Sequence, residues 1–219
     1  MRKRRCKVEA MVNEAALRAR ARNPRGSGAL LRDEILDGAG LILDETGSAD
    51  AVTLRAIARR IAIAAPSIYA HFPDRDAILT ALVEDGFRDL RNAIHSATSG
   101  VDDPVQRLRD TCRAYLEFSA RRPQRYRLMF GTRHHGPESG GYDTDAGAEA
   151  FHVLVGAIRD CATAGSLVST DPFFGATTVW IALHGYATLR PARPGFPWPD
   201  DQRLIDHLLT ALSCPAGAP

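Results

Sequence analysis

The stretch Thr53-Leu54-Arg55-Ala56-Ile57-Ala58-Arg59-Arg60-Ile61-Ala62-Ile63-Ala64-Ala65-Pro66-Ser67-Ile68-Tyr69-Ala70-His71-Phe72-Pro73 decides the fold. Thr53 stands at an N-cap position ahead of Leu54, Ile57, Ala58 and Ile61, the i, i+3, i+4, i+7 spacing of one helix face. Ile61 to Ala64 reads as a short break. Ala65 to Phe72 makes about two further helical turns, with Pro66 tolerated because it lies in the first of them, and Pro73 ends the run. Leu54, Ile57, Ile61, Ile68 and Phe72 then face inward and hold two short helices together, with Ala58 small where they cross. Ala65, Pro66, Ser67, Tyr69, Ala70 and His71 are left facing outward.

The flanks repeat the helical period. Leu31, Ile35, Ala39, Ile42 and Leu43 share a face of a preceding helix that Gly47 ends, and Asp74 caps a following one carrying Ile78, Leu79, Leu82, Phe87, Leu90 and Ile94. Beyond Gly100, Asp103-Pro104 and Asp171-Pro172 are helix starts with a carboxylate cap and proline in the first turn. Further helices run through Tyr115 and Phe118, around Tyr126 to Phe130, from about Ala146 to Ala164, and from Asp200 to Ser213. Gly131 to Asp145, with its glycines and proline, is expected to be a mobile loop, and Pro191 to Pro199 to be irregular. No segment alternates as a strand would. The chain is therefore expected to be all-α: an N-terminal helix-turn-helix unit of three helices followed by a C-terminal helical bundle. The expected limits are 1–28 for a basic arm and linker, 29–75 for the helix-turn-helix unit, 76–213 for the bundle and 214–219 for a tail.

Charge is unevenly spread. Residues 1–25 hold nine basic side chains against Glu9 and Glu14, while the remaining 19 basic and 24 acidic residues leave the rest at −5. A basic arm on a mildly acidic body suits a partner with negative charge at one end. Cys6, Cys112, Cys161 and Cys214 fit no metal spacing and read as reduced thiols. No apolar run approaches the roughly 20 residues of a membrane span, and no apolar core follows the basic start, so neither membrane insertion nor secretion is expected. The chain also lacks GxSxG, a Walker loop and HExxH. An enzyme is not expected, and no cofactor or metal is implied: His184 has no second ligand at suitable spacing, and His134-His135 reads as a solvated pair.

Two short helices behind a longer one allow the second to enter the DNA major groove, about 12 Å wide, while the first crosses the backbone. The residues Thr53 to Arg60 and Pro66 to Leu79, above all Tyr69-Ala70-His71-Phe72-Pro73-Asp74-Arg75, resemble the TetR family of bacterial transcriptional repressors. Pro123-Gln124-Arg125-Tyr126-Arg127-Leu128-Met129-Phe130 and Trp180-Ile181-Ala182-Leu183-His184-Gly185 resemble the subgroup with a C-terminal Trp-His-Gly signature. The sequence departs from the family at Ala62, where glycine is usual in the turn, and at Ala64, where serine usually caps the second helix. Each departure costs about 1 kcal/mol.

The resemblance implies phosphate contacts from Thr53, Tyr69, His71 and Arg75, and base contacts from Arg55, Ala65, Pro66, Ser67 and Ala70. Few of these donate twice to one base, so readout would lean on apolar contact with thymine methyls, Arg55 and DNA shape. The arm has three readings: a minor-groove contact, a disordered solvated tail, or an over-called start with Met11 as the real beginning. The resemblance further implies a bacterial cytoplasmic homodimer bound to a palindromic operator, with repression as the family default. The last two helices would pair across the dimer, offering Val179, Leu183, Tyr186, Leu204, Leu208 and Leu212 as interface residues. Large apolar side chains at Tyr115, Phe118, Tyr126, Met129, Phe130, Phe151, Phe174 and Trp180 are candidates to line a pocket for a small apolar or aromatic effector. The competing reading is an effector-independent, architectural DNA-binding protein.

Overall fold

A computed structural model describes residues 28–131, 145–167 and 171–213. The basic arm, Cys6, His134, His135, Cys214 and the tail lie outside the described residues, as does nearly all of the expected loop after Gly131. Among the described residues every regular element is helical, and no helix is long and apolar enough to cross a membrane. The chain divides into two compact units at Val83 and Glu84.

In the first unit, α1 (Gly28–Thr46) buries Ile35, Leu36, Ala39, Ile42 and Leu43. Gly47 ends it at φ 65°, its N–H closing on Leu43 O at 2.8 Å, a conformation that glycine adopts without a Cβ penalty. A single 3₁₀ turn, Ala49–Ala51, leads through buried Val52 into α2 (Leu54–Arg60). The Thr53 hydroxyl accepts from Ala56 N at 3.1 Å, the expected cap. α1 and the end of α2 approach closely: a Cβ on Gly38 would stand 2.6 Å from Ile61 Cγ2. Arg60 donates two bonds of 2.6 Å to Glu45, tying the same two helices at their exposed edge.

The turn after α2 is the strained point. Ala62 has φ 55°, the positive value at which glycine is favoured, and it is the one non-glycine residue so placed among the described residues. Ile61 N–H bonds to Ile57 O and Ile63 N–H reaches back to Ala58 O at 2.9 Å, the six-to-one bond of a Schellman ending. The second helix, Ala65–Ala70, differs from the expectation of α-helix: it is a 3₁₀ helix, with Ser67 N–H on Ala64 O and His71 N–H on Ile68 O. The reason is local. Pro66 has no N–H to give, and Ala64 offers no side-chain cap, so the tighter i to i+3 bonds hold the segment. Ile68 and Phe72 anchor it in the core, and the Arg32 guanidinium covers the Phe72 ring at 5.1 Å. Asp74 caps α3 (Arg75–Thr98) by accepting from Ala77 N at 2.8 Å.

The second unit is built around α4 (Pro104–Arg121), which packs against α5 (Pro123–Phe130), α6 (Asp145–Thr163), α7 (Pro172–Ala192) and α8 (Asp201–Ser213). Asp103 and Asp171 cap α4 and α7 as expected, each accepting two backbone N–H groups. α7 runs further than expected. Pro191 lies in its last turn, where it withholds the N–H that would pair with Ala187 O, and the helix continues past it, Arg193 N–H closing on Leu189 O at 2.9 Å. The part of α3 in this unit meets α5 tightly, a Cβ on Gly86 standing 2.8 Å from Met129 Sδ. Cys112 and Cys161 are buried free thiols, and desolvation pushes them up to about 12 and about 11, so both stay protonated.

Candidate functional site

The first unit presents a small face outward. Arg55, Pro66, Ser67, Tyr69 and Ala70 are exposed, Tyr69 by 58%, while Ala65 and His71 are half-buried. Ile68 between them is fully buried, so the short helix is fixed from beneath and open above. Thr53 is exposed, its oxygen accepting the capping bond while its O–H proton remains available. Arg75 is held differently. Its Nε donates to Val52 O at 2.8 Å and its Nη2 to Ala49 O at 2.6 Å, so its guanidinium braces the turn that leads into α2. Asp50 and Asp76 stand 3.4 Å from it.

The second unit holds a cavity of about 310 Å³. Tyr115, Phe130, Phe151 and Trp180, four of the eight residues expected to line a pocket, do line it. The other four go elsewhere. Phe174 is 69% exposed on the outer face of α7, while Phe118, Tyr126 and Met129 are buried but do not reach the cavity. Phe87, Leu90, Ile94, Leu154, Leu183 and His184 line it too. Periodicity marks the first three as apolar face, and nothing in a sequence separates a cavity wall from packed core. The spacing of Trp180 and His184 puts them on one face, and that face turns to the cavity.

The cavity has one polar end. Tyr126 Oη lies 2.8 Å from His184 Nδ1 and 2.7 Å from Tyr115 Oη. Desolvation raises both phenols and lowers His184, so all three are neutral near pH 7. Phe130 packs edge-on to His184 at 4.7 Å, and Phe151 edge-on to Trp180 at 6.0 Å. Among the described residues the walls are thus apolar and aromatic, with no Arg, Lys, Asp or Glu.

The interface expectation requires a correction. Val179, Leu183 and Tyr186 are 1%, 2% and 6% exposed, buried within their own unit, where Tyr186 Oη donates to Pro199 O at 2.7 Å. The helix is apolar all round, so its period alone does not say which stripe faces out. The outward stripe carries Phe174, Ile181 and Leu189, exposed by 69%, 61% and 51%. Leu204, Leu208 and Leu212 on α8 are half-buried.

Residues 35–82 match the family model for bacterial regulatory proteins of the tetR family, and residues 108–212 match that of the tetracyclin repressor-like C-terminal domain. The chain belongs to the TetR family. Between them the two matches take in more than half of it, one in each structural unit. A solved protein of unknown function from Rhodococcus sp. RHA1 is similar at a TM-score of 0.75 and 25% identity, over 88% of this chain and 100% of that one. PfmR, a TetR family transcriptional regulator from Thermus thermophilus, shares the fold at a TM-score of 0.60 and 20% identity, over 81% and 96% of the two chains. The nucleoid occlusion factor SlmA of Vibrio campbellii is 27% identical over 100 residues, which are 46% of this chain and 51% of that protein. The chain thus spans about half the length of the curated relatives it matches. The exposed short helix lies within the segment that matches the tetR family model, and most residues of the cavity wall lie within the segment that matches the tetracyclin repressor-like C-terminal domain.

Proposed function

We propose that this regulator is a repressor that binds a palindromic operator as a homodimer in the bacterial cytoplasm and is released when a small apolar or aromatic effector fills the cavity of its second unit. The observation that carries the reading is the combination, in one chain, of an exposed recognition helix on a buried anchor and an aromatic-walled cavity. Residues 29–75 form the DNA-binding part and 76–213 the regulatory and dimerising part. Arg55, Ala65, Pro66, Ser67 and Ala70 meet bases, with Thr53, Tyr69 and His71 on phosphates. Arg75 contributes by bracing the approach to α2 rather than by reaching out. An effector that favours the spacing of the two recognition helices unfit for DNA would release the operator.

The stripe of Phe174, Ile181 and Leu189 supports dimerisation through α7. Gly185 lies on the same stripe, and an added Cβ there would meet nothing within 4 Å. Trp180 and His184 on the cavity and Gly185 on the outward stripe support placing the chain in the Trp-His-Gly subgroup. The test is binding of the full chain to labelled DNA from upstream of its own gene, against random competitor at physiological salt. Tight binding that falls about tenfold or more in Tyr69→Ala supports the reading. Equal affinity for both DNAs would refute specific repression.

A further inference from the structure

We infer that the effector is a neutral, compact, largely apolar molecule carrying one hydrogen-bond acceptor, a carbonyl oxygen above all, which takes a single proton offered by the Tyr115–Tyr126–His184 network at the polar end of the cavity. This rests on the reading of that cavity as the effector site.

The argument is a proton count. The neutral triad has three polar hydrogens: two hydroxyl protons and one on the imidazole. Its internal contacts, Tyr115 Oη to Tyr126 Oη at 2.7 Å and Tyr126 Oη to His184 Nδ1 at 2.8 Å, use two of them. In one order Tyr115 donates to Tyr126, Tyr126 donates to Nδ1, and the imidazole proton sits on Nε2. In the reverse order Nδ1–H donates to Tyr126, Tyr126 donates to Tyr115, and the Tyr115 proton is left over. Either way one donor remains without an acceptor in the network. The first order satisfies both phenols, whereas the second strands a hydroxyl proton and a ring lone pair together, so the first is favoured.

Among the described residues no side chain meets Nε2, and His184 lines the cavity. The other polar groups of the wall are already engaged: the Thr111 hydroxyl donates to Arg107 O at 2.9 Å, and the Trp180 indole acts on the Tyr115 oxygen as a donor. A ligand acceptor therefore meets one donor in an otherwise apolar wall. Among the described residues no charged side chain lines the cavity, so an ionised ligand would meet no counter-charge from them. The volume of about 310 Å³ lies at the low end of ligand sites and suits a compact molecule.

The test is equilibrium dialysis of the full chain against four probes that share one body: acetylnaphthalene, ethylnaphthalene, naphthoate and naphthylmethylammonium. The ketone is expected to bind about tenfold or more tighter than the hydrocarbon, one well-made bond in a dry site, and the two ions to bind far more weakly. In His184→Phe the ketone's advantage should fall to about one while the hydrocarbon still binds, and His184→Gln, which keeps a donor, should restore part of it. Should His184→Phe fail to fold, the ranking in the natural chain decides alone. Ketone and hydrocarbon binding equally, or naphthoate outranking the ketone, would overturn the inference. Binding by none of the four would overturn the effector-site reading with it. A ketone preference without any change in operator affinity would leave the ligand class standing and refute only its role as effector.

Discussion

Replacing Ala62 by glycine should stabilise the first unit, because the turn before the recognition helix holds an L-residue at φ 55°. A left-handed conformation costs a residue with a Cβ about 1–2 kcal/mol. Glycine returns about 0.4–1 kcal/mol of that through the greater freedom of its unfolded chain. Losing a half-buried methyl removes a few tenths more, from a value of about 0.8 kcal/mol for full burial. The remainder is a gain of roughly 0.5 kcal/mol. With a urea dependence of about 1–3 kcal/mol per molar, the midpoint should rise by roughly 0.2–0.5 M. Urea unfolding followed by exchange of the α2 amides reads the first unit by itself. Gly47→Ala is the control of opposite sign, since Gly47 has φ 65° and would take on the same penalty. A midpoint for Ala62→Gly at or below that of the natural chain would refute the strain argument.

Two further predictions concern the second unit. Ile181→Glu, on the outward stripe of α7, should weaken self-association about 100-fold, since two carboxylates would meet across a two-fold axis, whereas Leu183→Ala should cost roughly 2–5 kcal/mol of folding stability. Sedimentation and thermal unfolding separate the two effects, and a dimeric Ile181→Glu would show that the interface lies elsewhere. His184 is held below its ordinary value of 6.5 by desolvation, so the unfolded chain binds the proton more readily than the folded one. Its contribution is complete above pH 6.5 and is lost as pH falls below that value. The thermal midpoint should therefore drop on acidification from pH 7 to about 5.5, and His184→Gln should flatten that slope. An identical slope in both proteins would place the proton-sensitive group elsewhere.

Much of the helix-turn-helix was legible in the sequence because its signals are local. Thr53 and Asp74 cap helices by reaching backbone N–H groups three residues on, and Gly47 ends α1, all within one turn of chain. Ala62 and Ala64 were recognisable as departures for the same reason, and the structure turns them into a strained turn and an uncapped 3₁₀ helix. The role of Arg75 was less legible. Its side chain has the reach to meet a phosphate, and only the placement of Val52 and Ala49 shows it bonded to their carbonyl oxygens instead.

The sequence by itself determined that the chain is helical, where most helices begin and end, and which short helix is aimed outward, since period and capping act over three or four residues. Tertiary structure alone decided which apolar side chains touch one another and which leave a space. Phe87, Phe151 and Trp180 are far apart along the chain and meet at one cavity, while Phe174, six residues before Trp180, turns to solvent. An apolar side chain has the same pattern in the sequence whether it faces core, cavity or a second copy of the chain. Burial is a property of the packed helices, and the polar triad of Tyr115, Tyr126 and His184 exists only because α4, α5 and α7 bring three distant residues within hydrogen-bonding distance.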